Sequence, residues 1–316
     1  MDNRPAQAIA TITDASRALF RNPTVVFRPS AYWFWHAIPD AETSRRQLAD
    51  FKAQGFGTIL IQARIAFPRD RYMSEAFRAA YRKAIGIAGE LGLKAGIYDD
   101  YNWISGHAGG RTVEGRDDLR ERHLFWATTE KGGGEISNIR PPFVQSMGPD
   151  IMGWQYENGA VLWGDWAIEA ALLHSADDLD SSRTAEDVTD RVALSHSDGV
   201  ACRYAFDGEV PAGRKLTVFV SARSTSSRLI NYLMPAAAQR FIAVGLDPIV
   251  AALGDLVPDP LGFVFYDQPA AGFYRWDQIS GNLGNSILFS DELRSHIDGA
   301  TGVSFPLTLH SLLYGE

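Results

Sequence analysis

Apolar and polar residues follow a regular order over the first third of the chain. Continuous apolar runs at residues 31–35, 58–62 and 93–98 predict three buried strands. Between them, apolar side chains recur every three to four residues, which predicts one helix beginning near residues 39–42 and another over residues 74–91. Strands and helices that alternate through short glycine turns are typical of parallel strands joined by right-handed crossovers.

The pattern changes between about residues 128 and 221. Short runs with partial two-residue alternation occur at residues 167–173, 199–206 and 215–220. Turn-forming clusters rich in glycine separate them, and the acidic run at residues 177–182 is typical of a polar loop. This arrangement predicts an inserted all-β domain, similar to a small sandwich.

The first pattern then resumes. Residues 229–233 are predicted to be a short strand or extended segment, residues 236–253 a helix with Pro235 at its first position, and residues 261–266 a buried strand. We therefore expect an α/β fold, a partial (β/α) TIM-type barrel interrupted by the inserted all-β domain. The predicted segments are 1–127 for the first part of the barrel, 128–222 for the insertion, and 223–316 for a continuation that looks truncated.

Composition and charge exclude several function classes. The 316 residues are 46% apolar and 22% charged, with a net charge of −8, which argues against the basic surface that nucleic-acid binding needs. Residues 1–22 lack the apolar core of a signal peptide, and we find no apolar run of 18 residues for a membrane span. We expect a cytoplasmic protein, or a secreted one if the true N-terminus is missing. The single cysteine, Cys202, rules out an intramolecular disulfide and a cysteine-based zinc site, and its apolar surroundings favour a buried small side chain.

The strongest candidate for chemistry is residues 94–110. An apolar run ends in Asp99 and Asp100, and Trp103 and Ser105 follow in a glycine-rich loop. The carboxyl ends of barrel strands converge on one face, where active sites are built. Carboxylates accept hydrogen bonds from sugar hydroxyls, and flat rings pack against the C–H faces of a sugar. The sequence therefore predicts a carbohydrate site here.

Other candidates lie at the ends of neighbouring strands. Trp35 and His36 end the first strand, Arg64 ends the second, and Asp267 and Gln268 follow the strand at residues 261–266. We expect Asp100 and Asp267 to be the catalytic residues. The remaining candidates are expected to bind substrate, and no metal ligand is assigned: Trp35, His36, Arg64, Asp99, Trp103, Ser105 and Gln268.

Each candidate also has a structural interpretation. The acids could cap helices or pair with Arg64 or Arg111, Trp35 could fill the interior of the barrel, and His36 could be a satisfied structural imidazole. Adjacent residues on a strand face opposite ways, so only one of Asp99 and Asp100 is expected to face the site. His107 has no partner at metal-ligand spacing, and we expect it in a surface loop.

Seven short motifs, in this order, resemble the α-L-rhamnosidases of glycoside hydrolase family 106. They are Tyr32-Trp-Phe-Trp35, Gly55-Phe-Gly57, Ile97-Tyr-Asp-Asp100, Trp103-x-Ser-Gly106, Ala108-Gly-Gly110, Asn231-Tyr-Leu-x-Pro235 and Phe265-Tyr-Asp-Gln-Pro269. The resemblance implies a (β/α) barrel interrupted by β domains and inverting hydrolysis of terminal L-rhamnose on glycans or glycosides. It also implies a calcium-assisted sugar site.

The sequence departs from the family in two places. Gln268 stands where the family usually has Glu, and an amide does not exchange a catalytic proton near neutral pH. Barrel-like sequence covers only residues 30–125 and 226–316, less than the about 250 residues of a complete eight-fold barrel. We therefore expect a fragment or a degenerate homologue. The alternatives to an active hydrolase are an impaired homologue that only binds carbohydrate, and a truncated gene product without a function of its own.

Overall fold

The computed structural model describes residues 12–137, 153–176, 184–267 and 286–314. The chain divides into two compact units, the first made of Met1–Tyr98 with Ile249–Phe265, and the second of Asp99–Pro248 with Tyr266–Glu316. Parallel and antiparallel sheets combine with helices, so the protein is of mixed α/β class. The three predicted segments and the predicted barrel remain predictions, and the polar run at residues 177–182 lies outside the described residues.

The strands of the described residues, in chain order, are β1 (Ser30–Trp35), β2 (Thr58–Ala63), β3 (Lys94–Tyr101), β4 (Arg122–Thr129), β5 (Gly133–Ser137), β6 (Trp163–Ser175), β7 (Glu186–Asp187), β8 (Val192–Ser197), β9 (Ala201–Phe206), β10 (Arg214–Ser224), β11 (Leu261–Phe265) and β12 (Ser286–Leu288). The α-helices are α1 (Asp14–Arg21), α2 (Ala41–Ala53), α3 (Glu75–Glu90), α4 (Pro235–Phe241), α5 (Asp247–Leu253), α6 (Asp291–Thr301) and α7 (Phe305–Tyr314). A π-helical turn, Ile242–Leu246, joins α4 to α5.

The first unit contains a sheet with strand order β1-β2-β3-β11. β1 pairs in parallel with β2, and β3 in parallel with β11. The predicted helices between the first three strands are confirmed: the Asp40 carboxylate caps α2 and the Ser74 hydroxyl caps α3, each accepting a backbone N–H. The boundary between the two units falls inside β3, after Tyr98.

β1 does not bury the whole apolar run that predicted it. Trp33 and Trp35 are buried, and Trp35 packs against Phe77 and Tyr81 of α3 at 5.8 and 5.9 Å between ring centroids. Tyr32 and Phe34 point the other way and remain partly exposed, because successive side chains of a strand alternate. The prediction of a continuously buried strand is therefore wrong for this element.

The face of the sheet opposite the helices carries a row of aromatic rings. Tyr32 lies 5.0 Å from Tyr98 and 5.7 Å from Phe265, measured between ring centroids. β11, predicted to be buried, is exposed at Gly262 and Phe263 and only partly buried at its end. Runs of apolar residues thus located these strands correctly but overestimated how much of each is covered.

The second unit is built around an antiparallel sheet of order β12-β4-β10-β6-β7, with a smaller sheet of order β5-β9-β8. β10 pairs with β4 on one side and with β6 on the other, so that Phe219 lies opposite both Trp126 and Ala170. The strands predicted at residues 167–173, 199–206 and 215–220 correspond to β6, β9 and β10. The large sheet extends beyond the predicted insertion, since β4 begins at Arg122 and β12 lies at Ser286–Leu288.

Both faces of this sheet are packed. One apolar cluster gathers Leu216, Val218 and Val220 with residues of the small sheet. Another gathers Phe219 with side chains of α7, including Phe305. Polar pairs lie among these apolar groups. The Thr128 and Thr217 hydroxyls are 2.8 Å apart, the Ser221 hydroxyl donates to the Glu169 carboxylate at 2.6 Å, and Arg294 donates to the same carboxylate at 2.8 Å.

Of the short strand or extended segment predicted at residues 229–233, no regular strand forms. Ile230 makes only an isolated bridge with Arg120, and its side chain packs in a small cluster with Val113 and Leu119. The helix that follows begins at Pro235, as predicted.

Across its whole length, Pro235–Leu256, this helix is the one described segment long and apolar enough to cross a membrane, with a mean hydropathy of 1.4. One such helix is weak evidence, because helices packed inside proteins meet the same criteria.

Candidate functional site

Two adjacent acids at the end of β3 form the centre of the site. Asp99 and Asp100 are 3% and 1% exposed. Asp99 accepts a hydrogen bond of 2.7 Å from the Ser105 hydroxyl through one oxygen. Among the described residues, its other oxygen and both oxygens of Asp100 have no hydrogen bond of good geometry, although Ser105 and Asp99 lie close enough to Asp100 to shift its pKa. Buried carboxyl oxygens normally have partners, so three such oxygens together point to a place where a polar ligand binds.

Burial and mutual repulsion change the proton affinity of both acids. Loss of contact with water raises the pKa of Asp99 from 3.8 to about 6, although the Ser105 hydroxyl acts in the opposite direction. The pKa of Asp100 lies well above its ordinary value, first because of burial and then because of the negative charge of Asp99, with a smaller effect from Asp267. Two carboxyl groups this close titrate as a pair, and the pair loses its last proton at a higher pH than an ordinary carboxyl group does.

Strict alternation along β3 does not separate the two carboxyl groups. The expectation that only one would face the site is wrong at the end of this strand. Ser105 and Asp99 both lie close enough to Asp100 to affect its pKa, and Ser105 also binds Asp99 directly. The chain leaves the extended conformation directly after β3, at Asn102, whose φ is +64°. Both acids lie inside β3, shortly before this change in conformation.

Ser105 connects these acids to Asp267. The Ser105 hydroxyl accepts a hydrogen bond of 2.7 Å from the Asp267 backbone N–H, while the Ser105 N–H donates to the Asp267 carbonyl at 3.1 Å. The structure thus brings together four predicted site residues, Asp99, Asp100, Ser105 and Asp267. Asp267 itself is half-buried.

Tyr232 also contacts the loop that carries Ser105. Its hydroxyl donates to the Ser105 carbonyl. Burial raises the pKa of the Tyr232 phenol well above its ordinary value, and the charges of Asp100, Glu121 and Asp99 add to this. Gly106 allows the close approach, because its φ is +99° and a Cβ there would lie 3.0 Å from the Tyr232 ring. Tyr232 belongs to the motif at residues 231–235, but the sequence did not mark it as a site residue.

Two loop residues differ from expectation. Trp103 is half-buried and packs against the cluster of Ile104 and Leu229, so part of its ring surface is already used. His107, predicted to be in a surface loop, is fully buried. Burial, and then the positive charge of Arg228, lower the pKa of His107 to about 4. The local sequence does not predict the burial of His107, because a lone histidine among glycines is most often exposed.

Three predicted site residues lie in the first unit. Trp35 is buried in the aromatic core beside α3, in agreement with the core-filling interpretation. His36 is exposed, and its Nδ1 atom is 3.1 Å from the Arg64 carbonyl oxygen. The Arg64 guanidinium lies 4.7 Å from the centre of the Phe34 ring and donates to Gln62 at 3.0 Å. Their substrate-binding roles remain predictions. Gln268 lies outside the described residues.

A second buried acid lies near Tyr232. Glu121 and His123 are fully buried, with Oε2 and Nε2 atoms 3.1 Å apart. Among the described residues, no hydrogen bond reaches the other Glu121 oxygen. Their spacing of two residues places both side chains on one face of an extended chain, and this spacing is visible in the sequence.

The described part of the site shows no cluster of metal-binding side chains. Calcium takes six to eight oxygen ligands, usually from several carboxylates and carbonyls. In the part of the chain that the structure describes, no group of three or more acidic, histidine or cysteine side chains is arranged to hold a metal ion. We therefore derive no chemical step through calcium.

Comparisons with known proteins add little to this geometry. No protein-family model and no curated protein matches the sequence. Among solved structures, the chain is similar to a rhamnosidase from Novosphingobium sp. PP1Y, with a TM-score of 0.48 and 11% sequence identity. The match covers 94% of this chain and 42% of that chain, so the protein spans less than half of its length. A resemblance this distant carries no argument for function.

Proposed function

We propose that this protein is a glycoside hydrolase that removes terminal L-rhamnose by an inverting acid/base reaction. The observation that carries the proposal is the buried Asp99–Asp100 pair, with three unpartnered oxygens and raised pKa values, next to Asp267. An inverting glycosidase needs one protonated and one ionised carboxyl group. The motif resemblance to family 106 supplies the choice of sugar.

In this proposal Asp100 is the general acid. Its raised pKa favours the protonated form, and it donates its proton to the glycosidic oxygen as the bond from that oxygen to the anomeric carbon breaks. Asp267 is the general base. It takes a proton from the water whose oxygen attacks the anomeric carbon. Asp99 accepts hydrogen bonds from substrate hydroxyls through its unpartnered oxygen.

Turnover of 4-nitrophenyl and phenyl α-L-rhamnosides tests this reaction. We expect the wild type to hydrolyse both, and Asp100→Asn and Asp267→Asn to lower kcat by about 10²- to 10⁴-fold. Asp100→Asn should retain more activity on the nitrophenyl substrate, because a good leaving group needs less protonation. Asp118→Asn, which changes an exposed acid paired with Arg116, is the matched control. Hydrolysis that is unaffected in both site variants would exclude these two catalytic roles.

A second candidate is carbohydrate binding without hydrolysis. Gln268 favours it, because the sequence following Asp267 carries an amide that cannot exchange a proton in place of a second carboxyl group. Calorimetric titration with L-rhamnose distinguishes the two functions. Binding by a wild type that does not hydrolyse either rhamnoside supports this candidate, and no binding at millimolar sugar removes it.

A further inference from the structure

The hydroxyl, N–H and carbonyl groups of Ser105 all form hydrogen bonds to neighbouring parts of the site. Its hydroxyl donates to Asp99 and accepts from the Asp267 N–H, both at 2.7 Å. Its own N–H donates to the Asp267 carbonyl, and its carbonyl accepts from the Tyr232 hydroxyl. A side chain that is 1% exposed and joins three separate segments fixes their relative positions more than it contributes surface for a ligand.

We propose that Ser105 is a positioning residue, which holds the Asp99 carboxylate and the Asp267 backbone in one arrangement beside Asp100. This inference rests on the proposed function and replaces the substrate-binding role expected for Ser105. Since the hydroxyl hydrogen points to Asp99, its lone pairs face the Asp267 N–H, and the direction of both bonds is set. In this role Ser105 acts on the reaction only through Asp99 and Asp267.

The geometry explains why one hydroxyl can serve two acids. A donor to Asp99 favours the ionised form of that residue, and the Ser105 hydroxyl lowers the pKa of Asp100 as well. The acceptor bond fixes the main chain from which the Asp267 side chain extends. Removing the hydroxyl would loosen both, and small displacements of catalytic groups have large effects on rate.

Ser105→Ala tests the inference, with Ser105→Thr as the variant that keeps the hydroxyl. Thr112→Val is the matched control. The Thr112 hydroxyl is also buried and donates to the Gly106 carbonyl at 3.0 Å in the same loop, but it does not contact either acid. Both substitutions remove a buried hydroxyl, so urea unfolding of each variant measures the loss of stability that any missing buried hydrogen bond causes.

The first measurement is hydrogen exchange of the Asp267 amide in the free protein, which needs no substrate. We expect at least tenfold faster exchange in Ser105→Ala, little change in Ser105→Thr, and no change in Thr112→Val beyond that of the loop as a whole.

The second measurement is titration of the Asp99 carboxyl carbon by NMR, with its signal identified by its loss in Asp99→Asn. Asp100, Asp267, Tyr232 and Tyr266 are the titratable groups that face the two acids. In Ser105→Ala the Asp99 titration should move to higher pH.

The third measurement is kcat and KM on 4-nitrophenyl α-L-rhamnoside. A positioning role predicts a fall of about tenfold or more in kcat with KM changed less than threefold, and recovery in Ser105→Thr. An unchanged Asp267 amide and an unchanged Asp99 titration in Ser105→Ala would overturn the inference. A wild type without hydrolysis would instead refute the proposed function, and the first two measurements would still decide the role of Ser105.

Discussion

Asp99→Asn is the sharpest test of the electrostatics of the site. The substitution removes a carboxyl group whose ionised form is unfavourable in the folded protein, because burial raises its pKa from 3.8 to about 6. Asparagine keeps an oxygen that can accept the hydrogen bond from Ser105. The variant should therefore be more stable than the wild type at high pH, although it loses a charged group.

The size of the effect follows from the shift in pKa. A group whose pKa is raised on folding contributes stability that is fully present below its unfolded value of 3.8 and is lost as the pH rises through about 6. A difference of about two units corresponds to about 3 kcal/mol in the free energy of unfolding. Asp99→Asn should raise the free energy of unfolding by about 3 kcal/mol at pH 8 and by less than about 1 kcal/mol at pH 4.

Urea unfolding followed by tryptophan fluorescence at pH 4 and pH 8 measures this difference. The control is Asp118→Asn, since the hydrogen bond from Arg116 lowers the pKa of Asp118 and the sign of its pH dependence is opposite. Asp118 stabilises the fold at high pH and loses this effect as the pH falls. If Asp99→Asn changes the free energy of unfolding by the same amount at both pH values, the argument from burial is refuted.

Three further predictions concern other buried groups. Because the pKa of His107 is lowered to about 4, the wild type should lose about 3 kcal/mol as the pH falls from 6.5 through 4, and His107→Gln should remove this loss in urea titrations. Gly110→Ala should lower Tm more than Gly115→Ala, because both have positive φ but only a Cβ at Gly110 meets Arg228, at 2.9 Å. Burial raises the pKa of the Cys202 thiol to about 12, so a disulfide reagent should react at least 100-fold faster after unfolding in urea.

The sequence predicted the local structure of the first unit well. Apolar runs located β1, β2 and β3, and the capping residues Asp40 and Ser74 located the starts of both helices. It overestimated burial in β1 and β11, because an apolar run does not reveal whether one face or both faces of a strand are covered. Residues 229–233 do not form a regular strand, because they make a single bridge, between Ile230 and Arg120, and Arg120 is remote in sequence.

The candidate site was predicted in part. The change from apolar to acidic residues at Asp99 and Asp100 identified its centre, and the same change after β11 identified Asp267. The connection between them could not be predicted, because it depends on a serine hydroxyl and a main-chain N–H. Tyr232 was missed since its proximity to the acids comes from long-range folding, and the proximity of Glu121 to Tyr232 has the same origin. Residues with ordinary local patterns carry no trace of it.

The packing of both faces of the large antiparallel sheet has a consequence for how its strands align. A slip of β10 by one residue would exchange the apolar set Leu216, Val218 and Val220 for the mixed set Thr217, Phe219 and Ser221, so the hydrophobic pattern already disfavours it. The buried polar pairs disfavour it further. A slipped strand would leave the Glu169 carboxylate without the Ser221 hydroxyl and separate Thr128 from Thr217. Leaving a buried polar group without one of its hydrogen bonds costs about 1–3 kcal/mol, so these few polar contacts disfavour mispaired strands while the sheet assembles.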